Sequence, residues 1–206
     1  VNALSRWLHA RVYRDGNIYE MRFERGRVTS PLASREESIE ELIARYQEWY
    51  GSRPAFRGSD RAEFLQKFGN RLSGTLITFA PDETIFETVR FDYDILAHRL
   101  RELAFLNAGI SISLLDERTG DREKFHYEGG IAEYVRFLNT GAEPLHPDVI
   151  SLKKNDPESM TEIEVALQYT TGYSEQIFSY VNSVNTREGG THLEGFRSAI
   201  TKAVNN

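Results

Sequence analysis

The stretch HARVYRDGNIYEMRFERGRV, residues His9 to Val28, decides how the first half of the chain folds. It contains two β-rich runs that are separated by Asp15-Gly16. This dipeptide is the strongest short signal for a hairpin turn. Side chains alternate along both runs, as they do in half-buried strands. The stretch therefore predicts a pair of antiparallel strands.

Helical patterns lie on both sides of this hairpin. VNALSRWL, residues 1–8, has the apolar spacing of a helix but no preceding cap residue, so we expect this helix to begin upstream of Val1. SREESIEELIARYQEWYG, residues Ser34 to Gly51, opens on a capping serine and carries a helical stripe. A shorter helical pattern covers Asp60 to Leu72. Residues 34–72 thus predict a helical insertion between strands, packed on the outside of the first sheet.

The remaining patterns predict a mixed, α+β fold in two parts. A strand at Gly74 to Asp82, a helix at Asp92 to Asn107 and a hairpin turning at Arg118 to Asp121 come first. After Gly129 the chain reads as a helix, three strands (VISLKK, TEIEVALQYT and EQIFSYVNSVNT) and a last helix from Thr191. The glycines that follow Glu128 are a boundary signal, so we place a division near 127–130.

The junction NTREGGTHLEGF, residues Asn185 to Phe196, has two interpretations. Two glycines that lead into a helix can cradle a phosphate with backbone N–H groups. Thr191 and Glu194 have the spacing of a capping box, which needs no ligand. The residues by themselves leave both possibilities open.

Composition narrows the possible functions. The 206 residues include no cysteine, which excludes disulfides and thiolate metal sites and fits a reducing compartment such as the cytoplasm. No apolar run approaches the length that a membrane span requires. The net charge is −6, and residues 128–206 carry 6 basic and 11 acidic side chains. Any contact with DNA must therefore be local.

No motif in the sequence forms an active site by its pattern alone. The histidines show no metal-binding spacing, and the nucleophile-elbow, P-loop and dinucleotide-binding patterns are missing. We therefore assign no catalytic residue and no metal ligand.

Longer strings carry a family resemblance. HARVYRDGNIYEMRFERG, SGTLITFAPDETIFE, FDYDILAHRLRELAFLNAGISISLLDER, FHYEGGIAEYVRFLN, EVALQY and NTREGGTHLEGFRSAITKAVN follow one another in this order. Together they resemble the bacterial DNA gyrase B family, and the homologous protein of topoisomerase IV nearly as well. The resemblance covers the chain except for about residues 34–72, where the family has a short loop.

The resemblance implies a partial GHKL ATPase domain, an α/β sandwich, over residues 1–127. Residues 128–206 are then the first part of a transducer domain with a ribosomal-protein-like βαβ fold. The implied cofactors are ATP and Mg²⁺, and the implied partners are DNA, the A-subunit of gyrase and a second copy that dimerises on ATP binding. The implied activity is ATP-driven DNA strand passage. The alternative is a non-catalytic binding or dimerisation module that keeps this fold.

Most of the family's nucleotide contacts are expected outside residues 1–206, so we expect no ATP hydrolysis by this chain alone. Two positions match the family's nucleotide pocket. Thr75 matches a threonine that reaches the adenine through water, although a β-branched residue is also ordinary in a strand. Arg14 matches an arginine at the pocket mouth, where coumarin-type inhibitors bind, although it also reads as a surface residue at a hairpin end.

The resemblance also bears on the junction and on the insertion. It places the junction in the transducer, away from the nucleotide, and so favours the capping interpretation; the alternative is an anion or DNA-phosphate contact helped by Arg187, His192 and Arg197. For the insertion it implies no function. The aromatic residues Tyr46, Trp49 and Tyr50 either pack on the sheet or meet a partner.

Overall fold

The computed structural model describes residues 1–205, which divide after Arg90 into two compact units. The division predicted near 127–130 is a boundary between the two domains that the family resemblance implies, and it lies at a different place from the division into compact units. Helix α3, Tyr93–Leu106, packs on elements from both sides of residue 127. The assignment of 1–127 and 128–206 to two domains therefore stays a prediction.

The first unit, Val1–Arg90, is built on an antiparallel sheet. Its strands are β1 (Ser5–Arg14), β2 (Asn17–Glu24), β3 (Arg27–Glu36) and β4 (Gly74–Pro81), in the order β3-β2-β1-β4. The hairpin predicted at Asp15-Gly16 is confirmed. Both turn residues have positive φ, 52° and 72°, as the twist-matched two-residue turn requires.

The helix predicted at residues 1–8 is wrong. Asn2–Leu4 forms a single 3₁₀ turn, and Ser5 already begins β1. Ser5 lies opposite Pro81 and Trp7 opposite Ala80 on β4, so pairing with a strand distant in sequence overrides the local apolar spacing. Leu8 is buried as a strand residue.

Strand β3 was not predicted, and it shifts the start of the insertion. A second two-residue turn at Arg25-Gly26, with φ of 46° and 79°, leads into β3. The proposed cap Ser34 therefore lies in a strand. The cap of α1 is instead Ser38, whose side chain accepts from the Glu41 N–H in a capping box.

The insertion forms the two predicted helices, α1 (Ile39–Tyr50) and α2 (Arg61–Phe68), which are followed by a 3₁₀ turn. Asp60 caps α2 by accepting from the Glu63 N–H at 2.8 Å. The helices share a small apolar core made of Leu42, Tyr46, Phe64, Phe68 and Leu72. Burial of such side chains stabilises a fold by about 1.5–3 kcal/mol each.

The second unit begins at Phe91 and contains α3 and three two-stranded antiparallel sheets. Its other elements are β5 (Ser111–Leu115), β6 (Arg122–His126), α4 (Gly130–Leu138), β7 (Ile150–Asp156), β8 (Thr161–Leu167), β9 (Tyr180–Val181), β10 (Val184–Asn185) and α5 (Thr191–Val204). The predicted α3, α4 and the β5–β6 hairpin are confirmed. Phe105 is buried between the rings of Tyr127 and Tyr134 in the core of this unit.

The single strand predicted over EQIFSYVNSVNT is wrong. The chain turns at Asn182-Ser183, both with positive φ, and makes the short hairpin β9–β10. Asparagine tolerates this backbone conformation better than most residues. The β-branched and aromatic residues around the turn concealed it in the sequence.

The capping box predicted at Thr191 and Glu194 is also wrong. The N-cap of α5 is Gly190, and no side chain caps this helix. Gly189 and Gly190 both have positive φ, 80° and 149°, so the chain enters the helix one residue earlier than a threonine cap would allow. The anion-binding alternative at this junction stays untested.

Candidate functional site

The two predicted pocket residues lie on the same face of the first sheet. Thr75, near the start of β4, is directly opposite Val12 on β1, and Arg14 is two residues beyond Val12. Side chains at alternate strand positions share a face. Diagonal neighbours across antiparallel strands have Cα atoms about 7–8 Å apart. The fold therefore brings Thr75 and Arg14 together although they are far apart in the sequence.

The surroundings of this pair are apolar and open. Val12, Ile77 and Phe79 share its face and are 37%, 47% and 38% exposed. The Arg14 side chain is 73% exposed, and its Nε lies 3.3 Å from an Asp15 carboxylate oxygen. Thr75 is exposed too, and within residues 1–205 its hydroxyl has no hydrogen-bond partner. Both polar groups are thus exposed to a ligand on an apolar surface, the usual make-up of a small-molecule site.

Helix α1 lies against the opposite face of the same strand ends. Tyr13 is paired with Gly74, and the Trp49 ring meets Tyr13 edge-on with centroids 5.6 Å apart. A Cβ added to Gly74 would lie 3.1 Å from Trp49, so the indole packs directly on this glycine. Of the two alternatives for the aromatic residues of the insertion, Trp49 follows the first and packs on the sheet.

An open cleft of about 830 Å³ lies inside the insertion and does not include Arg14 or Thr75. It is lined by Ile43, Arg53, Pro54, Ala55, Phe56, Arg57, Gly58, Glu63 and Lys67. The resemblance assigns no role to these residues, so the candidate site stays on the sheet.

Comparisons with known proteins give this geometry a context. The family model for DNA gyrase B matches residues 130–206. The gyrase B protein of Thermotoga maritima is 39% identical over the whole chain, and that of Clostridium acetobutylicum is 40% identical. The chain spans only 28% and 27% of the length of these two relatives.

Solved structures agree in fold. The chain superposes on the 43K ATPase domain of Thermus thermophilus gyrase B, crystallised with an aminocoumarin, with a TM-score of 0.72 and 33% identity. The match covers 99% of this chain and 47% of that structure. The B-subunit of Myxococcus xanthus gyrase, at 24% identity and a TM-score of 0.71, shows the shared fold alone; the match covers 95% of this chain and 48% of that structure.

The chain is similar to DNA gyrase B proteins along its whole length. The α+β class predicted from the sequence is confirmed by these structures. The matches do not test the roles of Thr75 and Arg14, which remain proposals.

The first unit of the chain holds one carboxylate with a strongly lowered pKa. Asp82 is buried, and Arg25 donates to it over 2.6 Å while the N–H and hydroxyl of Thr84 donate at 2.9 and 2.7 Å. These hydrogen bonds, that of Arg25 first, lower the pKa of Asp82 to about 2. The group joins the β2–β3 turn to the end of β4, so it has a structural role.

A second buried carboxylate, Glu102, joins α3 to the β9–β10 hairpin. It accepts hydrogen bonds from Tyr180 and Arg99, and Arg99 also donates to the Ser183 carbonyl at 2.9 Å. Burial acts to raise the pKa of Glu102, but the hydrogen bonds from Tyr180 and Arg99 outweigh it and leave the pKa lowered. Burial and the neighbouring carboxylate raise the pKa of Tyr180.

Sequence reasoning missed the residues that hold the insertion on the sheet. Arg45 pairs with Glu37, which lies before helix α1, and the partners of Arg61 lie 24 and 45 positions away. A local pattern carries no signal for such contacts.

Among residues 1–205, no group of three or more His, Asp or Glu side chains is arranged so that it could hold a metal ion. Over the same residues, no helix is long and apolar enough to cross a bilayer.

Proposed function

We propose that the chain is part of an ATP-dependent type II DNA topoisomerase, in which it supplies one wall of the nucleotide site and the start of the transducer. The observation that carries the proposal is the shared sheet face of Thr75 and Arg14, in a chain that matches gyrase B along its whole length. ATP with Mg²⁺ is the proposed cofactor. DNA, the A-subunit of gyrase and a second copy of the chain are the proposed partners, and the cytoplasm, where the DNA lies, is the proposed location.

Each of the two residues has a distinct proposed role. The Thr75 hydroxyl bonds the adenine side of the nucleotide through a water, which is nearly as favourable as a direct hydrogen bond. Arg14 offers a charged donor at the rim of an apolar surface, and a hydrogen bond to a charged group contributes about 1.5–3 kcal/mol. The related Thermus thermophilus domain was crystallised with an aminocoumarin. We therefore propose that aminocoumarins bind this chain beside Arg14.

The test measures aminocoumarin affinity by calorimetry on the protein expressed from its complete gene. Arg14→Ala is expected to weaken binding at least about tenfold, which corresponds to ~1.4 kcal/mol. The matched control is Arg11→Ala, because Arg11 lies on the same strand but on the opposite face, beside Glu20. Equal losses in both variants, or none in Arg14→Ala, would contradict the proposed site.

The isolated chain is expected to show no saturable ATP hydrolysis. Thr75 and Arg14 supply one hydrogen bond and one rim contact. Phosphoryl transfer depends instead on metal ions, a positioned nucleophile and donors around the phosphates. Turnover by purified residues 1–206 that survives removal of contaminating ATPases would show this expectation to be wrong.

A further inference from the structure

The insertion, residues 37–72, sits at one particular end of the first sheet. Strand β3 leads into it, and the chain returns through Ser73 to β4. The turn between β1 and β2 lies at the same end, because β1 runs antiparallel to both of its neighbours. The insertion therefore meets the turn that follows Arg14 and the strand start that precedes Thr75.

Trp49 is the residue through which the insertion contacts the start of β4. The indole covers Tyr13 and Gly74, which are directly paired across β1 and β4. Gly74 precedes Thr75, so Trp49 packs on the backbone next to Thr75, on the face of the sheet opposite the Thr75 side chain. A side chain larger than hydrogen at position 74 would push into the indole, at 3.1 Å.

The insertion contacts the β1–β2 turn through Arg61 and Leu65. The Arg61 guanidinium donates to the carbonyl oxygens of Gly16 and Glu37, each at 2.8 Å. The Glu37 N–H donates to the same Gly16 carbonyl at 2.9 Å. The methyl groups of Leu65 lie where a Gly16 side chain would be, the nearer one 2.6 Å from its ideal Cβ position. The turn that follows Arg14 is thus held by two hydrogen-bond donors, Arg61 and the Glu37 N–H, and by the packing of the Leu65 side chain.

A buried ion pair makes this attachment rigid. The Arg45 guanidinium lies over the rings of both Tyr13 and Trp49, 4.5 and 4.9 Å from their centroids. It pairs with Glu37 and donates to the Leu72 carbonyl. Arg45 is 6% exposed and Glu37 is 3% exposed. Loss of either partner would leave a buried charge unpaired, so the pair fixes α1 relative to both ends of the insertion.

We infer that the insertion is a brace for the nucleotide site, with Trp49 and Arg61 as positioning residues that fix the backbones of Thr75 and Arg14. The inference rests on the proposed function of that site, and the ligand class is an adenine nucleotide. Trp49 and Arg61 act from behind the sheet and do not touch the ligand. Small displacements of positioned groups weaken recognition strongly, which makes the effect measurable.

The test measures the dissociation constant of a non-hydrolysable ATP analogue and the thermal unfolding midpoint, with the protein expressed from its complete gene. Trp49→Ala is expected to weaken analogue binding at least about fivefold, and Trp49→Phe to restore most of the affinity. Tyr50→Ala is the matched control. Tyr50 is the next aromatic residue on α1, and its described contacts, with Tyr46 and the Arg71 carbonyl, stay inside the insertion. The affinity of the Tyr50→Ala variant for the analogue is expected to change less than about twofold.

A spectroscopic readout separates positioning from general stability. The chain has two tryptophans, Trp7 and Trp49. In a background in which Trp49 is the only tryptophan of the expressed protein, the emission of Trp49 is expected to shift when the analogue saturates the site, because the indole packs on the start of the strand that carries Thr75. Arg61→Ala is expected to weaken both this signal and analogue binding, and Arg61→Lys to keep part of each.

The outcomes distinguish the brace from the proposed function beneath it. If Arg14→Ala and Thr75→Ala weaken ligand binding but Trp49→Ala and Arg61→Ala do not, the brace is wrong and the site stands. Equal losses in Trp49→Ala and Tyr50→Ala, in step with their unfolding midpoints, also overturn the brace. If the unaltered protein binds neither nucleotide nor aminocoumarin, the proposed function itself fails.

Discussion

At the scale of single residues, Asp82 makes stability depend on pH in a defined direction. Its pKa in the folded chain is about 2, below the ordinary 3.8, because Arg25 and Thr84 bond the charged form. A lowered carboxylate pKa stabilises the fold above the ordinary value and ceases to do so as pH falls through the folded one. We expect this contribution to disappear between about pH 4 and pH 2.

The variant Asp82→Asn isolates this contribution. Near neutral pH its unfolding midpoint in urea should lie below that of the unaltered chain. The gap should narrow on acidification toward about pH 2, where the carboxylate of the unaltered chain is protonated as well. A gap that stays constant from about pH 6 to about pH 2 would show that the charge on Asp82 is not what stabilises the fold.

Helix caps provide a second test at this scale. Asp92 caps α3 by accepting from the Ile95 N–H at 3.0 Å, whereas Thr191 is the first residue inside α5 and caps nothing. Asp92→Ala should therefore lower the free energy of unfolding by about 1 kcal/mol. Thr191→Ala should change it by less than about 0.5 kcal/mol. A loss at Thr191 equal to that at Asp92 would restore the capping box that the sequence suggested.

At the scale of elements, the insertion can be tested by removing it. Glu36 and Ser73 flank it at one end of the sheet, and three strand spacings separate β3 from β4. Strands lie about 4.8 Å apart, so a linker must span roughly 14 Å. About six Gly/Ser residues are enough for this distance. The insertion has its own apolar core, and we therefore expect the shortened chain to keep its sheet.

Cooperative unfolding and far-ultraviolet circular dichroism measure this outcome. The shortened chain should unfold in one cooperative transition at a lower denaturant concentration, because Tyr13 and Gly16 lose their contacts with the insertion. A matched control carries the same linker in place of residues 118–121, in the exposed turn of the β5–β6 hairpin. Complete loss of the transition in the first variant alone would mean that the sheet needs the insertion to fold.

Elements whose signal is local were predictable from the sequence. Asp15-Gly16 specifies its turn by itself, and α3 has both a cap and an apolar stripe. Elements that depend on distant partners were not. The pattern of residues 1–8 indicated a helix, but from Ser5 onward the chain pairs with β4, more than sixty positions away. β3 has Pro31 and a mostly exposed pattern, so only its pairing with β2 defines it as a strand.

The candidate site divides in the same way. Thr75 and Arg14 were selected by resemblance, and strand alternation then places both on one face. The sequence left open whether Trp49 packs on the sheet or meets a partner, and no sequence pattern predicted the position of Arg61. Their contacts join positions that are far apart in the sequence, and such contacts follow from the packing of a whole unit.

At the scale of the whole molecule, the division after Arg90 predicts which substitutions act independently. Asp82 belongs to the first unit, and the Glu102–Tyr180 contact belongs to the second. Effects at well-separated sites add within about 0.5 kcal/mol, whereas partners in one hydrogen bond show coupling of about 0.5–3 kcal/mol. Free energies of unfolding of single and double variants therefore report the organisation of the chain.

Two double variants make this prediction specific. Tyr180→Phe removes the phenolic donor to Glu102 and should cost about 1–3 kcal/mol, because a buried carboxylate loses a partner. Combined with Glu102→Ala, the total cost should fall short of the sum of the two single effects, since either variant alone already removes the hydrogen bond. Combined with Asp82→Asn, the costs should add. Coupling of more than about 0.5 kcal/mol between Tyr180 and Asp82 would contradict the assignment of these two residues to separate units.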